Sequence, residues 1–116
     1  MSKRDVKLFL HDILESIEKI ERYTKNLSFD EFVRNDLVVD AVIRNLEIIG
    51  EAVKNIPEDV RSKYPEIPWR QIAGFRDVVI HHYFGVDLNI VWTVVRKHLK
   101  ELKPKIKRIL KELSTR

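Results

Sequence analysis

The 116-residue chain is long enough for one domain, residues 1–116, and its composition, 44% hydrophobic and 34% charged with only three glycines, favours long helices. Its net charge is +4, and it contains no cysteine. The lack of cysteine excludes a disulfide framework, a thiolate metal site and a cysteine nucleophile. No apolar run reaches the roughly 18 residues of a membrane span, and acidic residues interrupt the N-terminal apolar patch, so we expect a cytoplasmic protein without a signal peptide or a membrane partner.

Two amphipathic helices are predicted in the first half of the chain. Apolar residues recur at spacings of three and four over residues 4–25, which predicts a first helix there. The sequence Ser28-Phe-Asp-Glu31 is a capping box, in which the serine hydroxyl and the glutamate carboxylate bind each other's backbone N–H groups. A second helix is therefore expected to begin near Ser28 and to run to about Asn55, because Pro57 ends it.

The second half is predicted to contain two more long helices after a short connector, EDVRSKY, which should form one or two helical turns. Pro68 suits the first turn of a third helix, which Gly85 can end. Asp87 can cap a fourth helix, whose apolar seam repeats every 3.5 residues and in which Pro104 should introduce a bend or a break. Four long helices with short connections predict an all-α fold, an antiparallel four-helix bundle with a short extra helix.

The segment FRDVVIHHYFGVD places an arginine, two adjacent histidines and a tyrosine in an apolar helix. At about 100° per residue, Tyr83 returns to the helical face of Arg76, whereas His81 lies about 140° away from Arg76. Asp77 is one turn before His81 and can orient it. Arginine offers a permanent fork of donors for phosphate, and histidine can take and return a proton at neutral pH. Together they suit metal-free cleavage of RNA to a 2′,3′-cyclic phosphate.

The angle between Arg76 and His81 leaves two arrangements open. Either the helix unwinds toward Gly85, or the site forms where two protomers meet and each contributes a helix. Without catalysis, these side chains would be surface groups that complement a helix end. His81 and His82 point about 100° apart and the chain lacks a His-Glu-x-x-His pattern, so no metal site is predicted.

The fourth predicted helix carries a basic stripe that can follow a nucleic-acid backbone. Residues 1–60 hold 9 Lys and Arg against 13 Asp and Glu, whereas residues 61–116 hold 13 against 5, so an anionic partner should meet the C-terminal half. The alternative is a solvated helix face, since the stripe offers charge but no aromatic stacking. The candidate RNA-binding residues of this basic stripe are Arg96, Lys100, Lys103, Lys107 and Lys111.

Two glutamates, Glu47 and Glu51, are four residues apart on the second predicted helix. Like charges at this spacing repel each other, so either solvent screens them or a nearby arginine relieves the repulsion. Gly50, beside them, would let a neighbouring helix approach closely.

The stretch Arg76-Asp-Val-Val-Ile-His81-His-Tyr83 resembles the R-x4-H-x-Y pattern of HepT-type toxins, which belong to the HEPN (higher eukaryotes and prokaryotes nucleotide-binding) superfamily. The similarity extends, in order, to AVIRNLEIIGEAVKNIP, WRQIAGFRDVVIHHYFGVD and IVW, and it covers roughly residues 5–112. The resemblance implies a HEPN-like helical homodimer whose two motifs line one cleft. It also implies a metal-independent endoribonuclease toxin that cleaves tRNA or mRNA and needs no cofactor.

The same resemblance assigns roles to the residues of the motif. Arg76 and His81 would be catalytic, and Tyr83 would receive AMP from ATP through a cognate MntA-like nucleotidyltransferase antitoxin in a larger toxin–antitoxin complex. Asp77 and His82 would support the motif, and His82 also creates an R-x5-H spacing. Two alternatives remain: a non-catalytic HEPN module that binds nucleotide or scaffolds a nucleotidyltransferase, and an oligomeric helical bundle that binds nucleic acid nonspecifically.

Overall fold

The computed structural model describes residues 3–76 and 87–114, which are helical and contain no β-strand. This confirms the predicted all-α class. No helix in these two ranges is long and apolar enough to cross a membrane. The helices are α1 (Lys3–Thr24), α2 (Phe29–Arg34), α3 (Asp36–Lys54), α4 (Glu58–Lys63), α5 (Trp69–Ala73), α6 (Leu88–Thr93) and α7 (Leu99–Ser114), with a π-helical turn, Val94–His98, between α6 and α7.

The core lies where α1 packs against α3 and α7. The predicted first helix is confirmed, since α1 buries the apolar side chains that recur along one face. Burial of each such Leu or Ile side chain contributes about 1.5–3 kcal/mol to the free energy of unfolding. The fully buried side chains at the centre of this packing are Leu10, Ile13, Ile17 and Ile20 of α1, Leu46 and Ile49 of α3, and Ile106 and Ile109 of α7.

The second predicted helix is two helices in the structure. Its start is as predicted: the Ser28 hydroxyl accepts a hydrogen bond from the Glu31 N–H at 3.1 Å, and the Glu31 carboxylate accepts one from the Ser28 N–H at 2.9 Å. The unbroken run to Asn55 is wrong, because the chain leaves helical geometry at Asn35 (φ −105°, ψ 89°). The Asn35 side chain accepts a hydrogen bond from the Val38 N–H at 3.1 Å and so caps a new helix.

The connector forms the short helix α4, as predicted. Trp69, at the start of α5, stabilises the position of α4. The Trp69 indole N–H donates hydrogen bonds to the carbonyls of Arg61 at 3.1 Å and Tyr64 at 3.0 Å. An ion pair between Glu66 and Arg108 joins the connector to α7. The start of α5 is therefore held between the connector and the core.

The third predicted helix is interrupted early. Its first part, α5, ends at Ala73, and the Gly74 N–H caps it by donating to the Arg70 and Ile72 carbonyls. The predicted end at Gly85 lies outside the described residues.

The fourth predicted helix begins as expected, since the Asp87 carboxylate accepts a hydrogen bond from the Asn89 N–H at 2.8 Å. The predicted break at Pro104 does not occur, because α7 continues through it. Leu102 and Ile106 on either side are buried, and their packing offsets the hydrogen bond that proline cannot donate. The irregularity lies earlier, at the π-helical turn Val94–His98.

Candidate active site

Arg76 follows α5 and lies against α3, where the chain approaches closely at Gly50. A Cβ atom added to Gly50 would lie 3.1 Å from the Ala73 carbonyl oxygen, 3.2 Å from Arg76 Cγ and 3.3 Å from the Arg76 backbone nitrogen. These distances are shorter than ordinary van der Waals contacts. The expected close approach at Gly50 is thus confirmed, and it sets the Arg76 backbone on the surface of α3.

The Arg76 side chain forms an ion pair with Glu51 of α3. The Arg76 Nε atom lies 3.1 Å from Glu51 Oε2, and the two side chains are 41% and 55% exposed. An exposed pair of this kind contributes only about 0–1 kcal/mol to stability. Because the contact uses Nε, the Nη1 and Nη2 atoms of the guanidinium are not needed for it, and they can bind an anion.

Each of the two glutamates on this face of α3 has an arginine. Glu47 lies 3.2 Å from Arg44 Nη1 within α3, while Glu51 pairs with Arg76. Both explanations for the like-charge pair therefore apply, since each glutamate has an arginine partner and both side chains are exposed to solvent, Glu47 at 37% and Glu51 at 55%. Both carboxylates line a groove of about 270 Å³ that also includes Phe9 and Asp12 of α1.

Phe75 and Arg76 have opposite environments although they are adjacent. Phe75 is buried and lines a separate, mainly apolar groove of about 350 Å³, together with Ile72, Ile90 and Val94. Arg76 instead extends over α3 and remains partly exposed. Burial of Phe75 thus anchors the backbone from which Arg76 projects.

The other predicted residues of the motif, Asp77, His81, His82 and Tyr83, lie outside the described residues. Their catalytic, supporting and AMP-accepting roles stay predictions, as does the arrangement that overcomes the angle between Arg76 and His81.

Arg96, the first residue of the basic stripe, makes contacts within the protein. Its Nη2 atom donates to the carbonyls of Thr24 at 2.8 Å and Leu27 at 2.7 Å, at the C-terminal end of α1. Its guanidinium carbon lies 4.3 Å from the centroid of the Trp92 ring. Arg96 therefore ties α1 to α6, and RNA binding would compete with these contacts.

Lys103 also has partners on α1. Its Nζ atom lies 2.7 Å from Glu21 Oε1 and 3.9 Å from Glu18 Oε2, and its side chain is 25% exposed. The other members of the stripe, Lys100, Lys107 and Lys111, are exposed. The helical wheel placed all five residues on one face, but it carried no information about which of them α1 would neutralise.

The sequence alone did not assign a role to Glu51, although its position directly after Gly50 indicated that a neighbouring helix would approach it. Where a glycine lets a second segment of the chain approach closely, the side chains of that segment come within reach of an acidic residue beside the glycine.

Within residues 3–76 and 87–114, no three His, Asp or Glu side chains are grouped as metal ligands would be.

Residues 13–109 match the family model described as Ribonuclease HepT-like. The chain is 49% identical over 113 residues, 97% of this chain and 93% of the relative, to "Putative RNase MJ1216" of Methanocaldococcus jannaschii. It is 48% identical over 109 residues, 94% of this chain and 99% of the relative, to "Probable ribonuclease HepT" of Thermococcus cleftensis.

A longer protein of Methanocaldococcus jannaschii, "Gamma-glutamylcyclotransferase and putative RNase MJ0434", is 51% identical over 111 residues, which are 96% of this chain and 50% of that protein. No solved structure matches the chain significantly. The matched range spans the positions from Arg76 to Tyr83 and also Gly50 and Glu51. The chain therefore belongs to the HepT-like ribonuclease family, as its motif predicted.

Proposed function

We propose that this protein is the toxin of a toxin–antitoxin system and that it cleaves tRNA or mRNA as a metal-independent endoribonuclease. The observation that carries the proposal is the position of Arg76, a partly exposed arginine whose backbone is seated on Gly50 and whose Nε is held by Glu51. Membership of the HepT-like ribonuclease family supports the choice of RNA as the substrate. An arginine held in this way presents a cationic fork of N–H donors on the surface of α3, which suits a phosphate.

The proposed reaction needs one arginine and one histidine. The His81 imidazole removes the proton of a ribose 2′-OH, and the 2′ oxygen attacks the adjacent phosphorus in line. Arg76 binds the non-bridging oxygens through Nη1 and Nη2 and stabilises the charge that develops on the phosphorane. The bond from phosphorus to the 5′ oxygen then breaks and that oxygen takes up the proton that the His81 imidazolium returns, so the products are a 2′,3′-cyclic phosphate and a 5′-hydroxyl.

We propose that two protomers form the active cleft. On one straight helix, Arg76 and His81 would point about 140° apart, so a dimer is the simpler way to bring an arginine and a histidine to one phosphate. The exposed lysines Lys100, Lys107 and Lys111 would then bind flanking phosphates of the RNA.

Tyr83 is the proposed control point. A nucleotidyltransferase antitoxin of the MntA type would transfer AMP from ATP to the tyrosine oxygen, with pyrophosphate as the leaving group. Tyr83 lies seven positions after Arg76, a spacing that returns to the same face of an ideal helix. The AMP phosphate would occupy the anion site of Arg76 and exclude RNA.

The central test compares Arg76→Ala, His81→Ala and His82→Ala in growth and RNA cleavage. We expect wild-type expression to arrest growth and the purified protein to leave cyclic-phosphate ends in the presence of EDTA. The first two substitutions should lower the cleavage rate by at least about 100-fold, whereas His82→Ala should retain toxicity. Full toxicity of Arg76→Ala and His81→Ala would refute the proposal, and partner binding without cleavage by the unmodified wild type would favour the non-catalytic module.

The regulatory part has its own test, intact mass after co-expression with a cognate MntA-like nucleotidyltransferase. We expect mass increments of AMP on the wild type, loss of RNA cleavage with their appearance, and no increment on Tyr83→Phe. Tyr64→Phe is the matched control, because it removes a tyrosine hydroxyl of the connector and should leave the increments intact. Persistence of the AMP increments on Tyr83→Phe would place the modification elsewhere.

A further inference from the structure

We infer that Glu51 is a positioning residue for Arg76, which acts on the guanidinium and does not touch the RNA. The inference rests on the proposed ribonuclease function and adds a component to its active site. Gly50 and Glu51 are consecutive on α3, and they hold different parts of the same arginine. Gly50 receives the backbone and Cγ of Arg76, while Glu51 binds its Nε at 3.1 Å.

The atom that Glu51 binds determines what the arginine can still do. A carboxylate beside Nε leaves the edge formed by Nη1 and Nη2 for a second anion, and the ion pair restricts where the guanidinium lies. An unrestrained arginine side chain samples many rotamers, and ordering it on the substrate costs free energy at the moment of binding. Glu51 therefore orders the fork before RNA arrives.

Glu47 provides an internal comparison. It lies one turn before Glu51 on the same face of α3 and lines the same groove, but its carboxylate pairs with Arg44. Replacement of either glutamate by glutamine removes one negative charge from nearly the same place. The two substitutions differ in whether Arg76 loses its partner.

An electrostatic role and a positioning role of Glu51 predict effects on different kinetic constants, KM and kcat. Removal of a negative charge near an RNA site should strengthen RNA binding and lower KM for Glu47→Gln and Glu51→Gln alike. Positioning predicts, in addition, that Glu51→Gln alone lowers kcat, because the arginine is no longer oriented for the transition state. The two contributions separate in the comparison of KM with kcat.

The experiment measures kcat and KM of RNA cleavage for the wild-type protein and for Glu51→Gln, Glu51→Asp, Glu47→Gln and Arg76→Ala. We expect Glu51→Gln to lower kcat by about 10- to 100-fold, while Glu47→Gln keeps kcat close to the wild-type value. Glu51→Asp retains the charge on a shorter side chain, so its kcat should lie between those of the wild type and Glu51→Gln. In the Arg76→Ala background, Glu51→Gln should have no further effect on kcat.

Three results would overturn the inference: equal kcat values for Glu51→Gln and Glu47→Gln, a kcat that rises in Glu51→Gln, or a Glu51→Gln effect that persists without Arg76. A rise would mean that Glu51 competes with RNA for the arginine. Failure of the proposed function looks different, because the wild type would then not cleave RNA or Arg76→Ala would cleave at the full rate. That outcome overturns both proposals. Thermal unfolding of each variant verifies the fold, which we expect to survive because the ion pair is exposed.

Discussion

The guanidinium of Arg96 closes the C-terminal end of α1, where two carbonyls accept its hydrogen bonds. Backbone carbonyls at a helix C-terminus have no partner within the helix and carry partial negative charge, so a cation is favoured there. The Trp92 ring lies below the same guanidinium and adds a cation–π contact. Arg96 and Lys100 lie only about 40° apart on a helical wheel. They differ in that Arg96 contacts carbonyls at the end of α1, whereas Lys100 is an exposed member of the basic stripe.

We therefore expect Arg96→Ala to lower the free energy of unfolding by about 1–2 kcal/mol, since two hydrogen bonds to charged nitrogen are lost at a partly exposed site. Lys100→Ala, in the same exposed stripe, should change it by less than about 0.5 kcal/mol. Urea denaturation of the two variants and the wild type measures the difference. Equal midpoints for the two variants would show that the contacts of Arg96 do not stabilise the fold.

The helices differ in how far local interactions determine their ends. At the start of α2, the backbone N–H and then the hydroxyl of Ser28 lower the pKa of Glu31, because their hydrogen bonds favour the charged carboxylate of the capping box. At Asn35, by contrast, the sequence does not reveal the break between α2 and α3, because apolar residues keep the helical spacing on both sides of it. An asparagine can end a helix or remain on its surface, and the side-chain bond to Val38 distinguishes the two cases.

The last pair of helices shows packing that overrides a local preference. Pro104 disfavours a helix interior, yet α7 runs through it because the flanking apolar residues are buried in the core. The π-helical turn before α7 has no proline or glycine to mark it in the sequence. Such a turn changes the face that the following residues present, so it contributes to which members of the basic stripe meet α1.

In the whole molecule, ion pairs between the two halves of the chain neutralise part of their opposite charges. Glu21 and Glu18 of α1, a helix with five acidic and five basic residues, neutralise Lys103. The surplus of positive charge in residues 61–116 is therefore presented by the remaining exposed lysines, which is where we expect RNA phosphates.

The proposed dimer gives a test that discriminates between the two arrangements of Arg76 and His81. Mixed dimers of an Arg76→Ala protomer and a His81→Ala protomer contain one intact arginine and one intact histidine on different chains. If the cleft combines residues of two protomers, we expect the mixture to recover a substantial fraction of wild-type cleavage after subunit exchange. A self-contained site on one unwound helix predicts no recovery above either parent. Differently tagged protomers, purified in two steps, supply the mixed species for this measurement.

Local sequence was sufficient for α1, for the caps at Ser28 and Asp87 and for the connector α4, because amphipathic period, capping bonds and proline act over a few residues. The resemblance to the family motif likewise predicted Arg76 as a site residue. The partners of Arg76, Arg96 and Lys103 required the folded chain. Each contact joins helices that are distant in sequence, and the choice among several exposed acids or carbonyls depends on how closely those helices pack. Gly50 set that distance for Arg76 and placed Glu51 within reach of its guanidinium.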